Sequence, residues 1–142
     1  MNQTKNKHQL MLVLLVLVTA LVGCSSQAAP AAEVQEIANL PVNLEIETVN
    51  ELRQRDDVFI LDVREDFEYD AGHIPNASLV PLGTIPNSLD AIPSDKTVIA
   101  VCRSGNRSNQ ATQFLREQGF DNVHNMLGGM NAWQEAGYEV AQ

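Results

Sequence analysis

Thr97-Val98-Ile99-Ala100-Val101-Cys102-Arg103-Ser104-Gly105-Asn106-Arg107-Ser108 is an apolar, β-branched run that breaks abruptly into polar, turn-forming residues. Residues 97–101 carry no charge and do not alternate, the pattern of a strand covered on both faces, as in a parallel sheet. Gly105 and Asn106 tolerate backbone angles that most residues avoid. From 108 to 118, Ala111, Phe114 and Leu115 fall on one helical face, and Gly119 supplies a stop. The stretch therefore predicts strand, tight turn, helix. Such a turn lies at the carboxyl edge of a parallel sheet, where α/β proteins bind their ligands.

Working outward, Val58-Phe59-Ile60-Leu61 repeats the buried-strand pattern. Weaker strands are predicted over 43–47, 78–80 and 122–125. Thr48-Val49-Asn50-Glu51 has capping-box spacing and is predicted to open a helix reaching about Arg55. A short helix over 33–39 and a last one over 129–136, closed by Gly137, complete the pattern, and no internal repeat is present. Strands alternating with helices indicate an α/β domain with a mostly parallel sheet. The domain is expected over 42–142, long enough for one modest core. With 44% hydrophobic but only 5% aromatic residues, that core is expected to be mainly aliphatic.

Nine basic residues against eighteen acidic ones give a net charge of −9, which argues against nucleic acid as a partner. The N-terminus reads as a targeting segment. Lys5, Lys7 and His8 precede an apolar run of 13 residues, 10–22, short of the roughly 20 needed to span a bilayer. The run ends in Leu21-Val22-Gly23-Cys24, which resembles the lipobox of bacterial lipoproteins, where a peptidase cuts before the Cys and lipid is attached to it. The expected organisation is a signal peptide over 1–23, a lipidated Cys24 with a tether to 41, and the domain thereafter. The protein is then expected at the cell envelope, held to a membrane on its non-cytoplasmic side. Cleavage would remove Lys5 and Lys7, leaving seven basic residues against eighteen acidic, a net of −11. Cys102 would be left without an intramolecular partner, and a lone thiol outside the cytoplasm implies a chemical use or deep burial.

The turn after residue 101 suits a reactive thiolate. Successive amide N–H groups in a tight turn can form an anion-binding nest, and the following helix adds its positive end. Lys96, Arg103, Arg107 and Arg116 form a positive island in which 96–116 contains no acidic residue. All of these favour thiolate over thiol, and the thiol is expected to be accessible.

These residues resemble the rhodanese (thiosulfate sulfurtransferase) domain in its single-domain form. Asp62-Val63-Arg64-Glu65 is similar to the family's Asp-x-Arg-Glu segment, and Ala71-Gly72-His73-Ile74-Pro75-Asn76-Ala77 to its Gly-His-Ile-x-x-Ala motif. Residues 102–107 resemble its six-residue active-site loop. Leu127-Gly128-Gly129 followed by Trp133 is similar to its Gly-Gly-x-x-x-Trp ending. The resemblance implies a three-layer α/β/α sandwich around a five-stranded, mostly parallel sheet. It implies catalysis by a Cys102 persulfide, with substrate bound by Arg103, Ser104, Gly105, Asn106 and Arg107. Sulfur would pass from a small-molecule donor such as thiosulfate to an acceptor such as cyanide or a thiol. No cofactor and no metal are implied, and a monomer is expected.

Asp62, Arg64 and His73 are expected to give structural support through ion pairs or hydrogen bonds. Glu65, Asp66, Glu68 and Asp70 read as a solvated helical face. Phe67 and Tyr69 are candidates for the substrate entrance, Trp133 for the core. His124 has no ligand-spaced neighbour. Three other functions compete. A phosphatase or arsenate reductase of the Cys-x5-Arg type would need Arg at position 108, which is Ser. A non-catalytic binding module would have no need of Cys102. A persulfide carrier serving one protein partner stays open.

Overall fold

A computed structural model describes Ile37 and residues 39–142. The lipobox, Cys24 and nearly all of the predicted helix over 33–39 lie outside those residues.

Five strands form one sheet: β1 (Asn43–Leu44), β2 (Val58–Asp62), β3 (Ser78–Leu79), β4 (Thr97–Val101) and β5 (Val123–Met126). Their order is β1-β5-β4-β2-β3, and every strand pair is parallel. The two runs that lack alternation, β2 and β4, lie side by side in the middle, Val58 opposite Thr97 and Asp62 opposite Val101. Their side chains are divided between two cores. Val58, Ile60, Ile99 and Val101 face one layer with Val49, Met130 and Trp133. Leu61, Val63, Val98 and Cys102 face the other with Ile85, Ala111 and Leu115. A strand buried on both sides has no reason to alternate, because each pleat direction meets a layer.

The helices are α1 (Ile46–Leu52), α2 (Asp66–Asp70), α3 (Asn106–Glu117) and α4 (Gly129–Glu135). Two 3₁₀ segments, Leu82–Asn87 and Leu89–Ala91, carry the chain from β3 to β4. The result is an α/β/α arrangement around a parallel sheet, as expected.

Two local expectations are corrected. The first strand stops at Leu44, and Thr48 is inside α1, whose N-cap is Glu45. The reason is the partner strand: Leu127 N–H donates to Leu44 O at 2.9 Å, after which the β5 chain turns away at Gly128. Freed from the edge, the chain coils at once, burying Val49 and packing Ile46 on the core. Likewise α3 begins at Asn106, earlier than expected, because Gly105 at φ 92° turns the chain into the helix within one residue.

Candidate active site

Cys102 is the first residue beyond β4, and the next three residues make the turn into α3. The turn is fixed from outside by the start of α4. Met130 N–H donates to Cys102 O at 2.8 Å, and Asn131 N–H to Arg103 O at 3.0 Å. With those carbonyls held outward, the turn's amides are free to face the sulfur. Gly129 makes this contact sterically feasible: a Cβ there would overlap the Cys102 carbonyl oxygen and the Arg103 to Ser104 peptide. Gly128 and Gly129 also sit at φ 72° and 59°, in the left-handed region.

The thiol is buried, with 1% of the residue exposed, which corrects the expectation of an accessible sulfur. Gly105 N–H donates to Cys102 Sγ at 3.2 Å, and the Ser108 hydroxyl lies at 3.3 Å from it. Burial pushes the thiol pKa up, but the Ser108 hydroxyl and the amides of Ser108, Ser104 and Gly105 outweigh it. The net result is a pKa below the ordinary thiol value, so the site favours thiolate. Ser108 Oγ is also 2.7 Å from Asn125 Oδ1, and Asn125 Nδ2 donates to Asn43 Oδ1 at 2.9 Å. A polar chain thus leads from the buried sulfur to Asn43 on β1. Neither Ser108 nor Asn125 was expected at the site. Adjacency of Ser108 to the loop was the only sequence signal for the first, and nothing local marked the second.

The loop residues divide by exposure. Gly105 is buried, Ser104 and Asn106 are exposed, and Arg103 reaches solvent. Arg103 and Arg107 line an open cleft of about 590 Å³, together with Phe67, Glu68, Met130 and Asn131 among others. Arg107, expected to bind substrate, is engaged by a carboxylate. Its Nη1 donates to Glu68 Oε2 at 2.6 Å and its Nη2 to Glu68 Oε1 at 2.7 Å. The guanidinium holds the Glu68 carboxyl down to about 2, and the carboxylate in turn raises the Arg107 pKa. Glu68 is therefore not part of a solvated face, which corrects that reading for one of its four residues. Glu65, Asp66 and Asp70 are exposed.

Asp62 and Arg64 form a buried pair. Arg64 Nε donates to Asp62 Oδ1 at 2.9 Å and Nη2 to Oδ2 at 2.7 Å. Arg64 Nη2 also donates to Gly72 O at 2.9 Å, tying the segment that lines the cleft to the end of β2. His73 lies away from the sulfur. Its backbone exchanges hydrogen bonds with Ala141, and its ring stacks on Tyr69 at 3.7 Å. Tyr69 is turned inward, its hydroxyl donating to Ala77 O at 2.6 Å, so it does not line the cleft. Phe67 does line it and is 73% exposed. Trp133 is fully buried in the core. His124 Nδ1 contacts Pro41 O at 2.8 Å at the opposite end of β5.

Residues 45–136 match the family described as Rhodanese-like domain. The chain is 39% identical over 102 residues to the Bacillus subtilis protein YtwF, covering 72% of this chain and 92% of that one. It is 38% identical over 86 residues to the thiosulfate sulfurtransferase GlpE of Pseudoalteromonas translucida, covering 61% and 82% respectively. The crystal structure of a rhodanese-related protein from Thermoplasma volcanium superposes with a TM-score of 0.66 at 31% identity, covering 71% of this chain and 98% of that one.

Proposed function

The chain belongs to the rhodanese-like sulfurtransferase family, and from that premise we propose that it transfers sulfane sulfur through a persulfide on Cys102. The observation that carries the reading is the pair of donors aimed at one buried sulfur, Gly105 N–H and the Ser108 hydroxyl. The Cys102 thiolate attacks the outer sulfur of a donor such as thiosulfate. A bond forms between Sγ and that sulfur, the donor's own S–S bond breaks, and sulfite leaves with the electron pair. A nucleophilic acceptor, cyanide or a thiolate, then attacks the outer persulfide sulfur and returns the Cys102 thiolate. Turn amides hold the negative charge in both states, a preorganised arrangement that needs no reorganisation during the reaction.

The test is mass spectrometry of the domain after incubation with thiosulfate. Cys102 should gain the mass of one sulfur atom, and cyanide should remove it. An unmodified Cys102 in protein competent to fold would overturn the reading. The N-terminal segment supports a second part of the proposal, a lipid anchor at Cys24 that holds the domain at a membrane of the cell envelope. Cys24→Ser should leave a longer, unprocessed precursor, and normal cleavage of that variant would refute it.

A further inference from the structure

The positive island of residues 96–116 does not survive folding as a positive site. Helix α2 brings Glu68 onto Arg107. Both terminal nitrogens of Arg107 are taken by Glu68, at distances at or below the usual range for a charge-assisted bond. Glu68 also accepts the Glu65 N–H at 3.2 Å, which fixes its carboxylate in this pose. Arg64, the next cation of the cleft, is matched by Asp62, and Glu65 adds a further negative charge to the lining. Among the described residues, Arg103 is the cleft cation without an ion pair. A dianion entering here meets one available positive charge and two matched ones.

The cleft of about 590 Å³ is also bordered by Phe67, Met130 and Ala71, apolar side chains that suit an organic body.

Building on the sulfur-transfer reading above, we propose that Glu68 is a specificity-determining residue that holds the anion-binding face of Arg107 against dianionic donors and so favours organic persulfides. In that reaction the Cys102 thiolate attacks the outer sulfur of R–S–SH. A new S–S bond forms at Sγ, the donor's S–S bond breaks, and R–S⁻ departs with the electron pair while the proton stays on the transferred sulfur. Discrimination arises because thiosulfate must either displace the Glu68 carboxylate from Arg107 or bind beside it and be repelled. Since the Glu68 carboxyl sits at about 2, this filter stays charged throughout the neutral range.

The experiment compares wild type, Glu68→Gln and the double variant Glu68→Gln with Arg107→Ala. Two donors are used: thiosulfate, and cysteine persulfide generated in solution, which in the protonated R–S–SH form carries no net charge against the two of thiosulfate. Persulfide formation on Cys102 is read by mass spectrometry, and melting curves check the fold. Loss of the carboxylate should lower the Michaelis constant for thiosulfate about tenfold, the scale of one charge-assisted hydrogen bond. It should leave that for cysteine persulfide within about twofold, less than one net hydrogen bond. Adding Arg107→Ala should cancel the gain. A folded Glu68→Gln variant whose Michaelis constant for thiosulfate is unchanged or raised would overturn the filter, since Glu68 would then only orient Arg107. A wild type that loads sulfur from neither donor would instead overturn the sulfur-transfer reading itself.

Discussion

Two strand-to-helix turns leave the same edge of the sheet side by side. One follows β4 and carries Cys102; the other follows β2, carries Arg64 and Glu65, and leads into α2 with Glu68. Their strands pair residue for residue, Asp62 against Val101, so the turns are neighbours. Yet they work by different means. The β4 turn acts through its backbone, with Gly105 N–H on the sulfur and its carbonyls held by α4. The β2 turn acts through side-chain charges: Asp62 on Arg64, Arg64 on Gly72, Glu68 on Arg107. Backbone machinery depends on turn shape, which a few substitutions can destroy outright. Charge machinery depends on partners, and losing one adjusts binding without removing the chemistry.

The sharpest division of labour is at Cys102 itself. Cys102→Ser should abolish persulfide formation, because a hydroxyl at neutral pH is neither ionised nor sulfur-accepting. The fold should persist, since the residue is buried but the change nearly isosteric, and melting curves would check it. Next comes the support of the turn. Gly129→Ala puts a Cβ into the Cys102 carbonyl and the Arg103 to Ser104 peptide at φ 59°, so the turn must shift. A displacement of about 1 Å in a catalytic constellation costs on the order of a hundredfold. Sulfur-transfer rates should fall by that order, whereas Gly83→Ala, with open space around it, should leave them unchanged. A Gly129→Ala protein with normal kinetics would show that the turn is not set by its contact with α4.

How legible each turn was in the sequence follows from the same contrast. The donors that the β4 turn aims at the sulfur, Gly105 N–H and the Ser108 hydroxyl, lie within 102–108, directly after the strand, so a short stretch displays glycine, cations and Ser together, while the α4 contact that braces the turn lies outside it. Even so, the sequence did not show that Cys102 is buried, because burial comes from β5, α3 and α4 arriving around it. The β2 turn could be read only as far as its local pair, Asp62 and Arg64. Glu68 sits among acids spaced as on a wet helix face, and its partner is 39 residues further along. No periodicity announces a contact of that separation. Asn125 was hidden likewise, as a polar residue in a strand whose neighbours are buried on both faces. The short β1 was misjudged for a similar reason: its length is set by where β5 ends, not by its own residues.

A moderate effect is expected where the two turns touch. Arg107→Ala should lower kcat/KM for thiosulfate about five- to tenfold, mainly through the Michaelis constant, because it leaves the Glu68 carboxylate unmatched in the cleft to repel the dianion. The same change should alter the acid limb of stability. Arg107 holds the folded Glu68 carboxyl at about 2, below its ordinary value of 4.5. A depressed carboxylate contributes stability that is present above its unfolded pKa and lost as pH falls through the folded one. The difference in melting temperature between wild type and Arg107→Ala should therefore be constant above about pH 5 and shrink between 4.5 and 2. The pair is part-exposed, so the plateau difference should be no more than about 1 kcal/mol. A difference that grows on acidification would mean that Glu68 is not the partner being titrated.

The smallest effect is expected at Ser108, where a side chain belongs to the backbone-driven turn. Its hydroxyl has one proton and two acceptors, Cys102 Sγ at 3.3 Å and Asn125 Oδ1 at 2.7 Å. When Cys102 is a thiolate the proton is drawn to sulfur; when it is a thiol the proton serves Asn125. Ser108→Ala removes a donor that only the charged form uses fully, so the thiol pKa must rise. Gly105 N–H and the other turn amides stay in place, so the thiolate loses one support among several. Alkylation of Cys102 by iodoacetamide at neutral pH should slow between about twofold and tenfold, the range of one net hydrogen bond. At high pH, where both proteins are fully ionised, the rates should converge, because the nucleophile itself is intact. Stability should fall by about 1–3 kcal/mol as the buried Asn125 oxygen loses its partner. Convergence of the rates at high pH separates a shifted ionisation from a damaged site: a displaced turn would lower the plateau as well.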